Sequence, residues 1–249
     1  MPTIEIRSLQ FSYPGRPLFS DLNISWQKPC VVVLLGPSGS GKSTLLKLIA
    51  GVLPPTGGSV LVNGAKPRHT AWVPQDGGLF PWLTVEKNIR FPSRLQVGSS
   101  IQDRLNGPPA LQNICYSLGL EGIRRRYPKD ISGGQAQRVA IGRALAAKSE
   151  ILLMDEPFSA LDPSTRVDVR RVVTRATREN NMISVIATHD LLDAAFIGDI
   201  AIILSGTSPA TLAELPLESD NSPEGRRAES AAQIAISLGK ALTGGQGIR

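Results

Sequence analysis

Nine consecutive residues are the clearest candidates for chemistry in this chain. They are Gly36, Pro37, Ser38, Gly39, Ser40, Gly41, Lys42, Ser43 and Thr44. They match G-x-x-x-x-G-K-[ST], a pattern in which backbone amides at a helix N-terminus close around phosphate oxygens. Lys42 would reach the β- and γ-phosphates of a nucleotide, and the Ser43 hydroxyl would bind Mg²⁺. The alternative is a plain glycine turn, but an apolar run precedes the motif and a helical pattern follows it.

Two carboxylates follow a second apolar run, in the segment "ILLMDEP". If that run is a buried strand, Asp155 and Glu156 emerge at its C-terminal end, where ligands bind in open α/β sheets. We therefore expect Asp155 to hold Mg²⁺ and Glu156 to act as the general base that polarises an attacking water. The alternative is an acidic pair that merely ends a strand.

Two further polar residues follow strand-like runs. His189, in "VIATHD", could hydrogen-bond a γ-phosphate and hold the water in line with Glu156, although a lone histidine often has only a structural role. Gln75, which ends "AWVPQ", could join the Mg²⁺ ligands. The other histidine, His69, is expected to be solvated in a loop.

A second glycine-rich segment contains Ser132, Gly133, Gly134 and Gln135, at the start of a strong helical pattern. Ser132 and Gln135 have the spacing of a capping box. That motif does not explain the adjacent glycines, because a glycine within a helix costs about 1 kcal/mol relative to alanine. A phosphate docked on the helix N-terminus would explain them, since bare backbone can approach an anion closely.

The elements that position these residues follow from hydrophobic periodicity. Continuous apolar runs predict strands buried on both faces of a mainly parallel sheet, and the earlier alternating segments predict an antiparallel sheet beside it. Helical patterns between about residues 80 and 148 predict an inserted α-helical subdomain. We expect one domain over residues 1–206 and a tail over residues 207–249 with a helix at about residues 227–242.

Composition is consistent with a globular protein that remains in the cytoplasm. The chain has 249 residues, is 41% hydrophobic and lacks the apolar centre of a signal peptide. Its apolar runs are shorter than the ~18 residues that cross a bilayer. Cys30 and Cys115 lack metal-ligand spacing and are expected to be packing residues. The net charge of +6 is attributed to solvated helix faces such as residues 169–178, although a basic surface could also face lipid headgroups or nucleic acid.

Taken in order, these motifs resemble the ATP-binding cassette (ABC) ATPases over Thr3 to Gly206. The set comprises Tyr13, the phosphate loop, Gln75, "ISGGQ", "ILLMDEP", "SALD" and His189. The resemblance implies an α/β fold with a P-loop NTPase core, an antiparallel β subdomain and a helical subdomain, and it implies ATP and Mg²⁺ as cofactors. Tyr13 would stack on the adenine, or it could be a strand-end core residue.

The resemblance also implies a head-to-tail dimer. Ser132, Gly133, Gly134 and Gln135 would then close over the ATP held by Lys42 of a second copy, and Asp162 in "SALD" would lie at the subunit interface. Asp162 followed by Pro163 is in addition a good helix start, with Asp162 as N-cap.

The segment after Gln75, "DGGLFPWLTVEKNI", is similar to that of importers for nitrate, sulfonate and taurine-like anions. In such importers a short helix of a separate transmembrane permease would dock near Phe80, Pro81, Trp82 and Leu83. Alternatively, Trp82 and Leu83 anchor the core of the helical subdomain. A periplasmic or extracellular substrate-binding protein would complete the complex, with this chain on the cytoplasmic face of the inner membrane and no nucleic acid as partner.

Two other functions remain open from the sequence. A soluble ABC ATPase could act on nucleic acid or the ribosome, as the net charge of +6 would allow. A subunit that extracts lipids or lipoproteins would carry the same cassette.

Overall fold

A computed structural model describes residues 1–67, 69–94, 109–207, 210, 212–217 and 233–240. The strands are β1 (Ile4–Tyr13), β2 (Arg16–Trp26), β3 (Cys30–Leu35), β4 (Gly57–Val62), β5 (Ala71–Val73), β6 (Ile151–Asp155), β7 (Ile183–Ala187), β8 (Ile200–Leu204) and β9 (Leu212–Pro216). The helices are α1 (Lys42–Ile49), α2 (Val85–Arg90), α3 (Pro109–Ser117), α4 (Gly133–Ala146), α5 (Pro163–Glu179), α6 (Leu191–Ile197) and α7 (residues 233–240). Short 3₁₀ turns lie at Phe91–Arg94, Glu121–Ile123 and Pro128–Asp130.

The central sheet has six strands in the order β5-β6-β7-β3-β8-β9. All neighbouring pairs except β8 and β9 are parallel. Along β3, Val31 and Val33 contribute to one hydrophobic cluster, whereas Val32 and Leu34 contribute to another. The sheet is therefore buried on both faces, which explains why its central strands are continuous apolar runs. The predicted α/β class with a mainly parallel sheet is confirmed.

A three-stranded antiparallel sheet, in the order β2-β1-β4, packs against one face of the central sheet. Ile4 of β1 lies opposite Trp26 on one side and Val62 on the other. Helix α1 contributes Leu45 and Leu46 to the same cluster. The helices from α2 to α6 pack on the opposite face, so the predicted antiparallel and helical parts are present.

The tail after residue 206 contains a strand that the sequence analysis did not predict. β9 runs antiparallel to β8, with Leu204 opposite Leu212 and Ile200 opposite Pro216. Beyond it, α7 buries Ala235 and Leu238 in the cluster on the helical face. Of the helix predicted at about residues 227–242, residues 227–232 and 241–242 lie outside the described part of the chain.

One of the arginines expected to be solvated is buried. Arg170 on α5 pairs with Asp193 on α6, and its guanidinium lies 5.4 Å from the centre of the Phe196 ring. Burial raises the pKa of the Asp193 carboxyl, and the positive charge of Arg170 opposes that shift. This buried pair joins α5 to α6.

The two cysteines are free thiols, as their spacing suggested. Burial raises the pKa of the Cys30 thiol to about 12, and the carboxylates of Asp199 and Glu214 add to this effect. Burial also raises the pKa of Cys115. Both thiols are therefore harder to deprotonate than an exposed cysteine.

Among the residues that the structure describes, none of the helices is both long enough and apolar enough to cross a membrane.

Because Asp193 pairs with a buried arginine, its substitution should destabilise the protein more than substitution of an exposed acidic residue. Asp193→Ala should lower the free energy of unfolding by about 3 kcal/mol, because it leaves the Arg170 guanidinium buried without its counter-charge. Glu179→Ala is the matched control, since Glu179 pairs with Arg175 on exposed α5 surface and should change stability by less than about 0.5 kcal/mol. Urea unfolding followed by circular dichroism measures both changes, and equal losses would contradict a special role for the buried pair.

Candidate functional site

The parallel register brings three strand ends to one edge of the central sheet. Leu34 of β3 lies opposite Ala187 of β7, and Asp155 of β6 lies opposite the same Ala187. The phosphate loop follows β3, Glu156 follows β6, and His189 follows β7 by one intervening residue. The residues predicted from three distant segments therefore leave the sheet side by side.

The phosphate loop is closed by backbone geometry that only glycine tolerates at its end. Gly41 caps α1 with φ of +102°, and an added Cβ would lie 2.8 Å from Cζ of Phe19. Lys42 is buried behind it, and its Nζ donates to the carbonyls of Gly36 at 2.7 Å and Pro37 at 3.0 Å. Two carbonyls thus hold the ammonium within the curve of the loop.

Negative charge around Lys42 comes from the end of β6, which is two strands away from β3 in the sheet. Burial lowers the pKa of the Lys42 ammonium, whereas the negative charges of Glu156 and Asp155 raise it. Asp155 is itself buried at the end of β6. The lysine and both carboxylates therefore form one electrostatic unit, even though they are far apart in the sequence.

The remaining loop residues divide into exposed and buried sets. Pro37, Ser38 and Gly39 are exposed, and Ser43 is half-buried in the first turn of α1. Ser40 is buried, and its Oγ has no hydrogen-bond partner among the residues that the structure describes. A buried hydroxyl without a partner is costly, so Ser40 is an internal donor available to an anion in the loop.

Tyr13 lies beside this loop and is 42% exposed. Its hydroxyl lies 3.2 Å from Oγ1 of Thr44, and its ring packs edge-on against Phe11 with the ring centres 5.1 Å apart. The alternative interpretation of Tyr13 as a strand-end core residue is therefore wrong. An aromatic face is available next to the phosphate loop, as stacking on a base requires.

Glu156 has a strained backbone and a direct contact with His189. Its φ is +49°, a left-handed conformation that is uncommon for residues other than glycine and is often found at functional sites. Its amide donates to the carbonyl of Ala187 at 2.9 Å, and its Oε1 lies 2.9 Å from Nδ1 of His189. The histidine side chain is mostly exposed, so it extends from Glu156 towards solvent.

Gln75 is exposed in the turn that follows β5. Val73 of β5 lies opposite Met154 of β6, so Gln75 leaves the sheet one strand away from Asp155. Within the described ranges, no group of three or more histidine, cysteine, aspartate or glutamate side chains could hold a metal ion. The Ser43 hydroxyl, the Gln75 amide and the Asp155 carboxylate nevertheless fit Mg²⁺. This ion is usually bound by one or two carboxylates together with substrate phosphates.

The segment from Ser132 to Gln135 forms the capping box that its spacing predicted. The amide of Ser132 donates to Oε1 of Gln135 at 2.9 Å, and the amide of Gln135 donates to Oγ of Ser132 at 3.3 Å. An added Cβ at Gly133 would meet open space, whereas one at Gly134 would lie 3.0 Å from the carbonyl oxygen of Ala160. No hydrogen bond between described residues joins this segment to the phosphate loop of the same chain.

Asp162 begins α5 as its N-cap, with Pro163 at the first helical position, so the predicted helix start is confirmed. Its carboxylate accepts hydrogen bonds from the hydroxyl of Ser164 at 2.6 Å and the amide of Thr165 at 3.0 Å. These bonds lower the pKa of Asp162 far below its usual value. The predicted position at a subunit interface stays a prediction.

Phe80, Pro81, Trp82 and Leu83 form a surface segment that we call the docking segment. Trp82 is 70% exposed, whereas Phe80 and Leu83 are half-buried. The Phe80 ring lies 5.6 Å from the Trp82 ring and 4.5 Å from the Phe91 ring, measured between centres. Trp82 therefore does not anchor the core of the helical subdomain, which corrects that alternative for Trp82 but not for Leu83.

Two arginines contact the site without having been identified from the sequence. Nη2 of Arg16 donates to the carbonyl of Gly39 at 3.2 Å, and Nη1 of Arg166 donates to Oδ2 of Asp190 at 2.9 Å. Asp190 caps α6 directly after His189. Each arginine meets its partner across more than twenty residues of chain, so no local pattern marked them.

Known proteins resemble this chain in sequence and in fold. The family model described as ABC transporter matches residues 19–159. The taurine import ATP-binding protein TauB from Escherichia coli strain K12 is 37% identical over 218 residues, which cover 86% of this chain and 84% of that protein. TauB from Shigella boydii serotype 4 has the same identity and coverage.

Solved structures show the same fold. The ATP-binding cassette MJ0796, in a dimeric post-hydrolysis state bound to ADP and Pi, superposes with a TM-score of 0.74 at 26% identity, covering 87% of this chain and 99% of that one. A second dimeric structure of MJ0796, a bacterial ABC transporter cassette, gives a TM-score of 0.74 at 28% identity and the same coverage. On the strength of the matched domain and of these relatives, the chain belongs to the ABC transporter family.

Proposed function

We propose that this chain is a Mg²⁺-dependent ATPase that powers import of a small sulfonate-like anion through a separate membrane permease. The observation that carries the proposal is the cluster of Lys42, Asp155, Glu156 and His189 at one edge of the sheet. The relatives named as taurine import proteins support the importer class and the substrate class.

Nucleotide binding is assigned to the phosphate loop and Tyr13. ATP phosphates would replace the carbonyls of Gly36 and Pro37 as partners of the Lys42 ammonium, and the buried hydroxyl of Ser40 would gain an acceptor. Tyr13 would stack on the adenine from the end of β1.

The metal would be held by Ser43, Gln75 and Asp155 together with phosphate oxygens. When bound, Mg²⁺ neutralises charge that develops on the transferred phosphoryl group. Hydrolysis then needs a base next to the γ-phosphate. Glu156 would accept the proton of the attacking water, and His189 would hold that water and the carboxylate in line through its bond to Oε1.

A complete site would require two copies of the chain. Ser132, Gly133, Gly134 and Gln135 would contact the γ-phosphate bound by the partner copy, with Asp162 at the interface. The solvent-exposed start of α4 and the dimeric state of the related MJ0796 cassette support this arrangement.

The permease would dock on the docking segment, where the exposed Trp82 offers an apolar anchor for a short helix. This chain would then lie on the cytoplasmic face of the membrane, and a substrate-binding protein would deliver the anion from the other side. The relatives' role in import supports both assignments.

The general base can be tested by a single isosteric change. Glu156→Gln should lower the rate of ATP hydrolysis at least about 100-fold, because the amide cannot accept the proton of the water. ATP affinity should be unchanged, as measured by titration with a fluorescent ATP analogue. Hydrolysis at the wild-type rate would contradict the assignment of Glu156 as the base.

The composite site predicts that two inactive variants restore each other. Lys42→Ala removes the phosphate-binding cation, and Gly133→Asp places a carboxylate where a γ-phosphate would dock, in space that is open in the structure. A mixed dimer retains one intact site, so an equimolar mixture should regain about one quarter of the wild-type hydrolysis rate. A mixture that stays as inactive as its components would contradict the head-to-tail arrangement, as would a strictly monomeric preparation with the full rate.

The docking segment can be tested with a pair of exposed aromatic residues. Trp82→Asp should abolish co-purification of the permease from detergent-solubilised membranes, because a carboxylate cannot enter an apolar contact without loss of hydration. Tyr116→Asp is the matched control, since Tyr116 is 73% exposed on α3, and it should leave co-purification unchanged. If wild-type protein recovers no membrane partner, and instead shows ATP hydrolysis stimulated by DNA or RNA, the importer proposal fails in favour of a nucleic-acid function.

A further inference from the structure

Arg143, in the last turn of α4, forms hydrogen bonds to the backbone between Gln75 and the docking segment. Its Nη1 donates to the carbonyl of Gly78 at 2.8 Å, and its Nη2 donates to the carbonyl of Gly77 at 2.9 Å. A guanidinium presents its donors as a rigid fork, so both bonds fix one orientation of the turn relative to the helix.

The backbone conformation of the turn allows both hydrogen bonds to form. The amide of Gly77 donates to the carbonyl of Pro74 at 2.9 Å, which closes the turn containing Gln75. Gly77 and Gly78 have φ of +72° and +54°, and an added Cβ at Gly78 would lie 2.9 Å from Cγ of Pro74. Two successive glycines thus direct adjacent carbonyls towards the same side chain.

The guanidinium also contacts the docking segment itself. Its central carbon lies 5.3 Å from the centre of the Phe80 ring, within the range of a cation–π interaction. Burial lowers the pKa of Arg143 and the charge of Asp76 raises it, but a guanidinium stays protonated in proteins. One side chain therefore binds both the turn after Gln75 and the first residue of the docking segment.

Asn88 on α2 holds the docking segment from its other side. Its side chain is completely buried, and its Oδ1 accepts from the amide of Phe80 at 2.9 Å. Its Nδ2 faces the carbonyls of Phe80 at 3.1 Å, Leu83 at 3.0 Å and Thr84 at 3.2 Å. Asn88 thus ties both ends of the docking segment, Phe80 and Leu83, to α2.

We propose that Arg143 is a positioning residue that makes the start of α4, the turn carrying Gln75 and the docking segment move as one body. The inference rests on the proposed function, in which these three parts contact the partner's ATP, the metal and the permease. A displacement of Trp82 by the permease would also displace Phe80. Through Arg143 it would then move α4, whose N-cap is Ser132. Arg143 touches no reacting atom, so its effect is on coupling rather than on chemistry.

The same helix provides a matched control for this proposal. Nη1 of Arg138 donates to the carbonyls of Leu118 at 2.7 Å and Gly119 at 3.3 Å, and Gly119 has φ of +61°. Arg138 therefore also binds two carbonyls of a glycine turn, through a single nitrogen, but that turn follows α3 and carries neither Gln75 nor the docking segment. Substitution of either arginine removes two side-chain hydrogen bonds between α4 and a glycine turn.

The first measurement compares Arg143→Met, Arg143→Lys and Arg138→Met for ATP hydrolysis with and without the purified permease. Arg143→Met should lower the stimulation by permease at least about fivefold, the size of a typical coupling between sites. ATP affinity of the isolated subunit should be unchanged, because the phosphate loop is not altered. Arg143→Lys should retain part of the stimulation, since lysine keeps the charge but not the fork. Arg138→Met should retain the wild-type stimulation.

The second measurement is hydrogen–deuterium exchange of the amides from residue 75 to residue 84. Arg143→Met should speed their exchange, whereas Arg138→Met should speed exchange only near residues 118–120. Equal loss of stimulation in both methionine variants would overturn the proposal in favour of general destabilisation of the helices. Faster exchange with unchanged stimulation would overturn it as well. If the wild-type protein does not hydrolyse ATP, the proposed function fails, and the exchange contrast still decides whether Arg143 holds the segment.

Discussion

The parallel pairing of β3, β7 and β6 is the constraint on which the candidate site depends. Ala187 lies between Leu34 and Asp155, so a slip of one residue in either pairing would separate the phosphate loop from the carboxylates. Such a slip would also turn side chains towards the wrong face of a sheet whose two faces are both buried. The hydrophobic core therefore fixes the register, and the register fixes the site. Stability and function share one origin here.

The same register brings the charges of Lys42, Asp155 and Glu156 together at this edge of the central sheet. Lys42, Asp155 and Glu156 are close enough for each carboxylate to favour the charged lysine, although burial outweighs them and the pKa of the ammonium is lowered. Glu156 is held in a left-handed conformation by its bond to the Ala187 carbonyl and so presents its side chain to His189. Strain of this kind persists only where the surrounding structure enforces it, and the paired strands do so.

Local patterns in the sequence were sufficient for those features whose partners are near in the chain. The continuous apolar runs predicted the mainly parallel sheet, and the spacing of Ser132 and Gln135 and the pair Asp162 and Pro163 predicted helix starts that the structure confirms. The strand β9 was missed, because an edge strand that is paired on one side and partly exposed needs no apolar run. The roles of the site residues in ATP binding and hydrolysis stay predictions.

Contacts between distant segments could not be predicted by such patterns. Arg170 was expected to be solvated because it lies in an arginine-rich helix, yet its partner Asp193 is 23 residues away on another helix. Arg143 meets Gly78 across 65 residues, and nothing in either local sequence specifies the other. These side chains link elements that pattern analysis identifies one at a time.

Long-range contacts also determine how the exposed Trp82 is presented to a partner. An exposed aromatic residue on a mobile loop would lose conformational entropy on binding, which would weaken any partner's affinity. Here Asn88 holds the backbone of Phe80 and Leu83 on either side of Trp82, and Arg143 contacts the Phe80 ring, so much of the ordering cost is met when the chain folds. Coupling to the permease requires the same rigidity, because a docking segment that deformed on binding could not displace α4. Rigid presentation of Trp82 and coupling through Arg143 are therefore two consequences of one set of hydrogen bonds.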